Sequence, residues 1–177
     1  MLTADGIKDL LGLRPLPREG GDYAETYRSD GTIPIAAPPP GDQGARSFGT
    51  AISYLLTTTT CSAMHRLPGD EVFHHDLGDA VEQLRLQPDG SGAVVRIGSD
   101  LLGGERPQTV VPGGVWQGAR LAPGGRHGDA LLGTTMAPGF DPRDYDTGDG
   151  DALTAAYPAW RGLILALRPP DAGLTTA

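Results

Sequence analysis

The stretch MHRLPGDEVFHHDLGD, from Met64 to Asp79, gathers His65, His74 and His75, three of the four histidines in the chain, around Glu71 and a Pro-Gly turn. Imidazole and carboxylate groups exchange protons near neutral pH, and together they also bind divalent metals. "HRL" and "EVFHHDLG" read as two strands joined by the turn "PGD". Side chains alternate along a strand, so His65 and Leu67 share one face of the first, while Glu71, Phe73 and His75 share one face of the second. If both faces look into one interior, His65 and Glu71 converge there, with Phe73 placed against a substrate. Such a pair can run acid and base chemistry or hold an ion with His75 as a further ligand. It can also be no more than a buried hydrogen bond.

Other side chains fit around that pair. Tyr27, in "ETYRS", or Tyr54 is suited to act as an acid from the opposite face, although strand tyrosines also serve as half-buried packing. Arg28 and Arg66 carry the rigid fork that binds a substrate carboxylate or phosphate, or pairs with Asp22, Asp70 or Asp76 on a rim. Trp116 has the opposite parity to Gln117 and is expected against a second sheet or a dimer partner. His127 reads as a solvated hairpin tip. The Gly-Gly pairs at 20–21, 103–104 and 113–114 read as turns rather than phosphate loops, and neither the serines nor Cys61 lie in a nucleophile elbow.

The elements that must position these groups are short strands. From Ser47 onward the segments "SFGTAISYLLTTT", "SAMHRL", "EVFHHDLG", "AVEQLRLQPDG", "GAVVRIG", "QTVVPGG", "VWQGARLA" and "DALLGTTMA" are bounded by Gly, Pro or Asp-Gly signals, the spacing of a sandwich or closed barrel. Before them, "TADGIKDLLGL" predicts a short helix capped by Thr3 or Asp5, and "EGGDYAETYRS" a strand with Tyr23, Glu25 and Tyr27 on one face. "IAAPPPGDQGARS" and "APGFDPRDYDTG" read as loops. "DALTAAYPAW" and "GLILALR" read as short helices broken at Pro158, and "PPDAGLTTA" as a frayed end.

The 177 residues suit a single domain, 1–177, with its core at about 19–158. The 14 basic residues, of which only Lys8 is lysine, are outnumbered by 22 acidic ones for a net charge of -8. Scattered arginines on an acidic chain argue against nucleic acid. One cysteine cannot form an internal disulfide, and with no signal-like start and no long apolar run the expectation is a cytoplasmic protein without a membrane partner.

The histidine stretch resembles the first cupin motif, with His65 at the first histidine, Glu71 at the glutamate and Gly78 at the closing glycine. Leu67 stands where the second histidine would be, and Thr59 at the opening glycine. "RPQTVVPGGVWQGARL" resembles the second cupin motif, with Pro112 and Gly114 in place, Gln117 at the histidine position and Leu121 at the asparagine. Six segments in order from Glu19 to Pro158 are similar to a family of small single-domain cupins long catalogued as of unknown function. These are "REGGDYAETYRS", "SYLL", "SAMHRLPGDEVFHHDLGD", "LGGERPQTVVPGGVWQGARL", "APGFDPRDYD" and "AAYP". The family commonly has Trp where this chain has Phe73 and an aromatic where it has His75.

The resemblance implies an all-β jelly-roll barrel, the cupin double-stranded β-helix, with short N- and C-terminal helices. It also implies a homodimer and kinship in fold with deoxysugar epimerases. A divalent ion (Fe, Mn, Ni or Zn) is one expectation, on His65, Glu71 and Gln117 as the resemblance places them and with His75 added from the Glu71 face outside it; a metal-free acid and base pair is the other, and no organic cofactor is expected. The expected function is an isomerase, epimerase or lyase acting on an oxygenated small molecule, a sugar derivative or secondary metabolite. The alternatives are a non-catalytic binding module and, less favoured because of Leu67, a metal-dependent oxygenase.

Overall fold

The structure is a computed structural model describing residues 2–35 and 44–168. Two antiparallel sheets face one another. The first runs in the order β1 (Arg14–Pro15), β2 (Asp22–Arg28), β5 (Thr50–Thr57), β12 (Asp129–Met136), β7 (Glu71–Gly78) and β10 (Gln108–Val111). The second runs β13 (Asp146–Thr147), β6 (Ser62–Arg66), β11 (Trp116–Leu121), β8 (Val81–Leu86) and β9 (Gly92–Ile97). β3 (Thr32–Pro34) and β4 (Ala45–Ser47) pair separately. Strands adjacent in sequence repeatedly cross between the sheets, as in a jelly roll.

Alternation decides what goes inside. Tyr54 and Leu56 of β5, Phe73 of β7, Val81 of β8, Ala119 of β11 and Leu132 of β12 meet between the sheets as the main core. The intervening Leu55 and Leu131 face outward and are covered by Ile7 of α1 (Ala4–Leu11). Thr3 caps α1 by accepting from the Gly6 amide, and Gly12 ends it in the left-handed region at φ 63. On the far side, Leu84 and Leu86 of β8 and Met64 of β6 pack beneath Leu153, Tyr157, Ile164 and Leu167, contributed by α2 (Gly150–Ala156) and the stretch through α3 (Arg161–Ala166). Pro158 opens a 3-10 turn between the two helices. No helix among the described residues is long and apolar enough to cross a membrane.

Three expectations change. β2 does not alternate cleanly, because its pairing with β5 shifts register between Glu25 and Tyr27. Thr26 is the extra residue, its hydroxyl donating to the Ala51 carbonyl at 3.2 Å. The β-bulge turns Tyr27 outward and Arg28 inward. Trp116 does not face the second sheet: it packs on the outer face of its own sheet against the C-terminal helical cover, with Arg66 stacked 4.4 Å over its ring. The loop expected over 35–47 ends in β4, while most of it, and all of "PPDAGLTTA", lies outside the described residues.

The two turns that carry the motif residues are tied together. The β6–β7 turn meets the β10–β11 turn where Asp70 accepts from the Gly113 amide at 2.8 Å and the Leu67 carbonyl accepts from Gly114 at 2.8 Å. A Cβ at Gly113 would lie 2.2 Å from the Pro68 carbonyl oxygen, so only glycine allows this approach. The clamp aligns the starts of β7 and β11 and so sets Glu71 opposite Gln117.

Candidate functional site

A cavity of about 310 Å³ opens between the sheets at this end. His65 and Glu71 form its floor, Tyr23, Ile52 and Tyr54 its wall, and Arg18, Glu19, Arg28, Phe140 and Tyr145 surround its mouth. His65, on β6, is 2% exposed and pairs across the ladder with Gln117. Its Nδ1 lies 2.8 Å from the Ala63 carbonyl oxygen. A carbonyl can only accept, so Nδ1 carries the hydrogen and Nε2 of the neutral ring is left with its lone pair. Glu71, the first residue of β7, is also buried. Its carboxyl sits above the ordinary value, chiefly because burial penalises the charge and secondly because Glu19 is near, against the opposing pull of His65 and of hydrogen bonds from Gln117 and Thr134.

A chain of polar groups continues behind Glu71. Gln117 donates from Nε2 to Glu71 Oε2 at 2.7 Å, and Gln83 donates from Nε2 to Gln117 Oε1 at 3.2 Å. Arg85 donates from Nε and Nη2 to Gln83 Oε1 at 2.8 and 2.6 Å. Gln83 and Gln117 are almost wholly buried.

The sequence candidates separate in three dimensions. His65, Glu71, Tyr54 and Arg28 reach the cavity, and Gln117 lies directly behind it. The Tyr54 hydroxyl is committed to the Gly20 carbonyl at 2.9 Å, and burial holds its phenol well above the usual value. Arg28 spends its fork on Glu25, at 3.0 and 2.7 Å, and bonds the Phe140 carbonyl. Phe73 is in the core behind the cavity, at 1% exposure.

The remaining candidates lie elsewhere. Tyr27 is 58% exposed on the outer face, displaced there by the bulge. Arg66 is on the outer face of β6, paired with Asp146 rather than with Asp70 or Asp76. His75, four residues along β7 and thus ~13 Å from Glu71, bonds the Asp79 carbonyl at 3.1 Å. His74 faces outward, between Thr135 and Gln108.

Tyr145 completes the site without having been singled out. Its ring stacks on His65 with centroids 5.0 Å apart and planes at 15°, and Arg18 lies 5.1 Å over it. The Tyr145 hydroxyl is buried with no hydrogen-bond partner among the described residues. Burial, reinforced by the charges of Glu19 and Glu71, keeps it protonated. Tyr145, Arg18 and Glu19 fall inside the quoted segments "APGFDPRDYD" and "REGGDYAETYRS". An aromatic in an otherwise polar loop was the available signal.

The cupin resemblance raises a divalent ion, and the donors can be tested against it. His65 Nε2 and the Glu71 carboxylate are suitable. Gln117 turns its NH2 toward Glu71, its oxygen already accepts from Gln83, Leu67 replaces the second histidine, and His75 is remote. Among the described residues no group of three or more His, Cys, Asp or Glu is arranged for a metal. Two donors fall short of the three or more protein ligands a resident ion of this kind requires, so the arrangement as built does not fit one.

Comparison with known proteins agrees with the fold. The chain is 31% identical over 134 residues to an uncharacterised protein of Saccharomyces cerevisiae, covering 72% of this chain and 67% of that one. A crystal structure from Shewanella oneidensis superposes with a TM-score of 0.82 at 32% identity, covering 97% of this chain and all of the other. A protein from Leishmania major matches with the same TM-score at 29% identity, covering 94% of this chain and 98% of its own. A mutant oxalate decarboxylase of Bacillus subtilis shares the fold alone, at 10% identity and a TM-score of 0.50 over 89% of this chain and 38% of that one. Residues 6–148 match the family Cupin_5, described as Cupin superfamily (DUF985), and the chain belongs to that family.

Proposed function

We propose that the protein is an enzyme of the isomerase, epimerase or lyase kind that moves a proton next to a carbonyl in an oxygenated small molecule bound in the barrel. The observation that carries this reading is His65: its Nδ1–H is pinned to a backbone carbonyl, so the basic Nε2 is free beside a buried carboxylate in an enclosed cavity. In this mechanism Nε2 takes the proton from carbon, and Glu71 stabilises the imidazolium that forms. The Tyr145 O–H, without a hydrogen-bond partner among the described residues, donates to the oxygen on which charge develops. Tyr54 is not available for that task, because its hydroxyl is already committed to a carbonyl.

The metal-dependent version, with Fe, Mn, Ni or Zn on His65, Glu71 and Gln117, requires the Gln117 amide to be reversed. The acid and base reading uses the groups as they stand. A binding module is the other reading, favoured by the apolar wall of Tyr23, Ile52 and Met136. Exposed Tyr27 and Val110 on the outer face of the first sheet support a homodimer, since apolar side chains there gain from being covered.

The readings part in deuterium oxide. Hydroxy and keto acids and sugar derivatives are screened by ligand-observed NMR, and each binder is followed for exchange of hydrogen next to its carbonyl. Wild-type protein should catalyse exchange, and His65→Ala should abolish it. Ligands that bind in a His65-dependent way without any exchange would show a binder, not an enzyme.

A further inference from the structure

The polar chain behind Glu71 has a direction, and Arg85 sets it. A guanidinium has donors and no acceptor, so the Gln83 atom that receives two of its bonds, at 2.8 and 2.6 Å, must be the amide oxygen. That turns the Gln83 NH2 toward Gln117, where it can meet only an oxygen, and the Gln117 NH2 is in turn forced toward Glu71. Reversing any one amide would set donor against donor and acceptor against acceptor inside a nearly sealed core, where an unmatched polar group is expensive.

Arg85 is itself held. It is half-buried on the inward face of β8 and reaches across to the other sheet, donating to the Val110 carbonyl at 2.7 Å and to the Thr109 hydroxyl. No carboxylate pairs with it among the described residues. Its donors lead to Glu71 through two amides, so the four residues form one oriented hydrogen-bonded chain from guanidinium to carboxyl. The orientation decides what the cavity floor can bind. It presents N–H where an oxygen donor would be needed to complete a set with His65 and Glu71.

We propose that Arg85 is a positioning residue that acts through Gln83 to hold the Gln117 amide nitrogen toward Glu71, and that this polarity keeps divalent metal ions out of the barrel. The inference is independent of the proton-transfer reading, because it concerns which atoms face the floor and not what they do to a ligand. Metal content after incubation with Mn²⁺ or Zn²⁺ and desalting tests it. Wild-type protein should retain no His65-dependent metal. Gln83→Glu replaces the amide with a group that only accepts, so Gln117 must turn its NH2 to residue 83 and its oxygen to Glu71. That variant should gain near-stoichiometric metal, lost again when His65→Ala is added.

Arg85→Met, which removes the anchor, should also gain metal. Arg85→Lys loosens the packing but still donates, and should not. Stoichiometric His65-dependent metal in the wild type would overturn the proposal, as would a folded Gln83→Glu variant that stays metal-free. Should the variants fail to fold, a neutron structure of the wild type decides: deuterium on the Gln117 atom facing Glu71 is expected, and an oxygen there refutes the inference.

Discussion

Asp79, at the end of the β7–β8 turn, offers a quantitative test of how this fold is held. Its carboxylate is buried and caps the loop that carries the chain from β11 in one sheet to β12 in the other, not the hairpin tip expected around His127. Oδ1 accepts from the Arg126 and His127 amides at 2.7 and 3.1 Å, and Oδ2 from His127 and Gly128 at 3.0 and 2.7 Å. Gly125 must be glycine, since a Cβ would come within 2.3 Å of this carboxylate. Asp79→Ala strands three backbone N–H groups. At the low end of the penalty, about 1 kcal/mol each because these loop amides reach water, the loss is about 3 kcal/mol. Asp79→Asn keeps one oxygen and turns an NH2 on the remaining donors, costing about half as much. With a urea m-value of ~2 kcal/mol/M, the midpoints should fall by ~1.5 M and ~0.8 M.

The sign with pH follows from the same contacts. Burial alone would raise the Asp79 carboxyl, but the bonds from His127, Gly128 and Arg126 outweigh it and hold the group below its ordinary 3.8. A lowered acid contributes stability above its unfolded value that is lost as pH falls through the folded one. The gap between wild type and Asp79→Asn should therefore be full at neutral pH and close below about pH 3.8. Urea melts at neutral and acid pH measure both effects. Equal midpoints for wild type and Asp79→Ala at neutral pH would show that the β11–β12 loop needs no anion and refute the reasoning.

Glu71→Gln should behave in the opposite way. Because burial raises this carboxyl above 4.5, its contribution to stability is present below that value and lost as pH rises through the folded one, so the variant should be more stable than wild type at neutral pH and equal to it in acid. Thermal melts from about pH 3 to about pH 8, a range that brackets the ordinary carboxyl value of 4.5, check this. Tyr145→Phe removes a buried hydroxyl with no partner among the described residues, so the melting temperature should hold or rise while ligand affinity falls, read by calorimetry with any screened binder. Ile164→Ala opens a cavity under the C-terminal helices at a fully buried site and should cost about 2–5 kcal/mol in the same urea assay. Tyr27→Phe should leave ligand binding unchanged, since the side chain lies on the outer face, away from the cavity.

The strands were legible because their period and punctuation are local. "EVFHHDLG" is β7 residue for residue, and its alternation correctly sets Glu71 and Phe73 inward. The convergence of His65 and Glu71 followed from two short strands and a tight turn. What escaped is what depends on partners distant in sequence. The bulge in β2 is a property of its pairing with β5, so alternation alone exchanged Tyr27 for Arg28. Tyr145 is brought to His65 by a loop anchored elsewhere, through Phe140 to Thr50 and through Arg46 to Asp144. Gln83 and Arg85 carry no local signal of their inward placement, because the helices that cover the other face cannot be seen from β8 itself. His75 has the right parity for the interior but lies too far along the strand.

The bulge at Thr26 also bears on descent. Glu25, Tyr27 and Arg28 pair with Ile52, Ala51 and Thr50, three consecutive residues, so the ladder holds one residue more than it needs. A relative that had lost Thr26 would keep an arginine at the cavity mouth and a tyrosine on the surface, although simple alternation predicts the same outcome only for the shorter chain. Length variation at this position is therefore neutral for the lining, and homologous chains should be aligned with the gap at residue 26, where a shift by one would exchange an inward cation for an outward phenol.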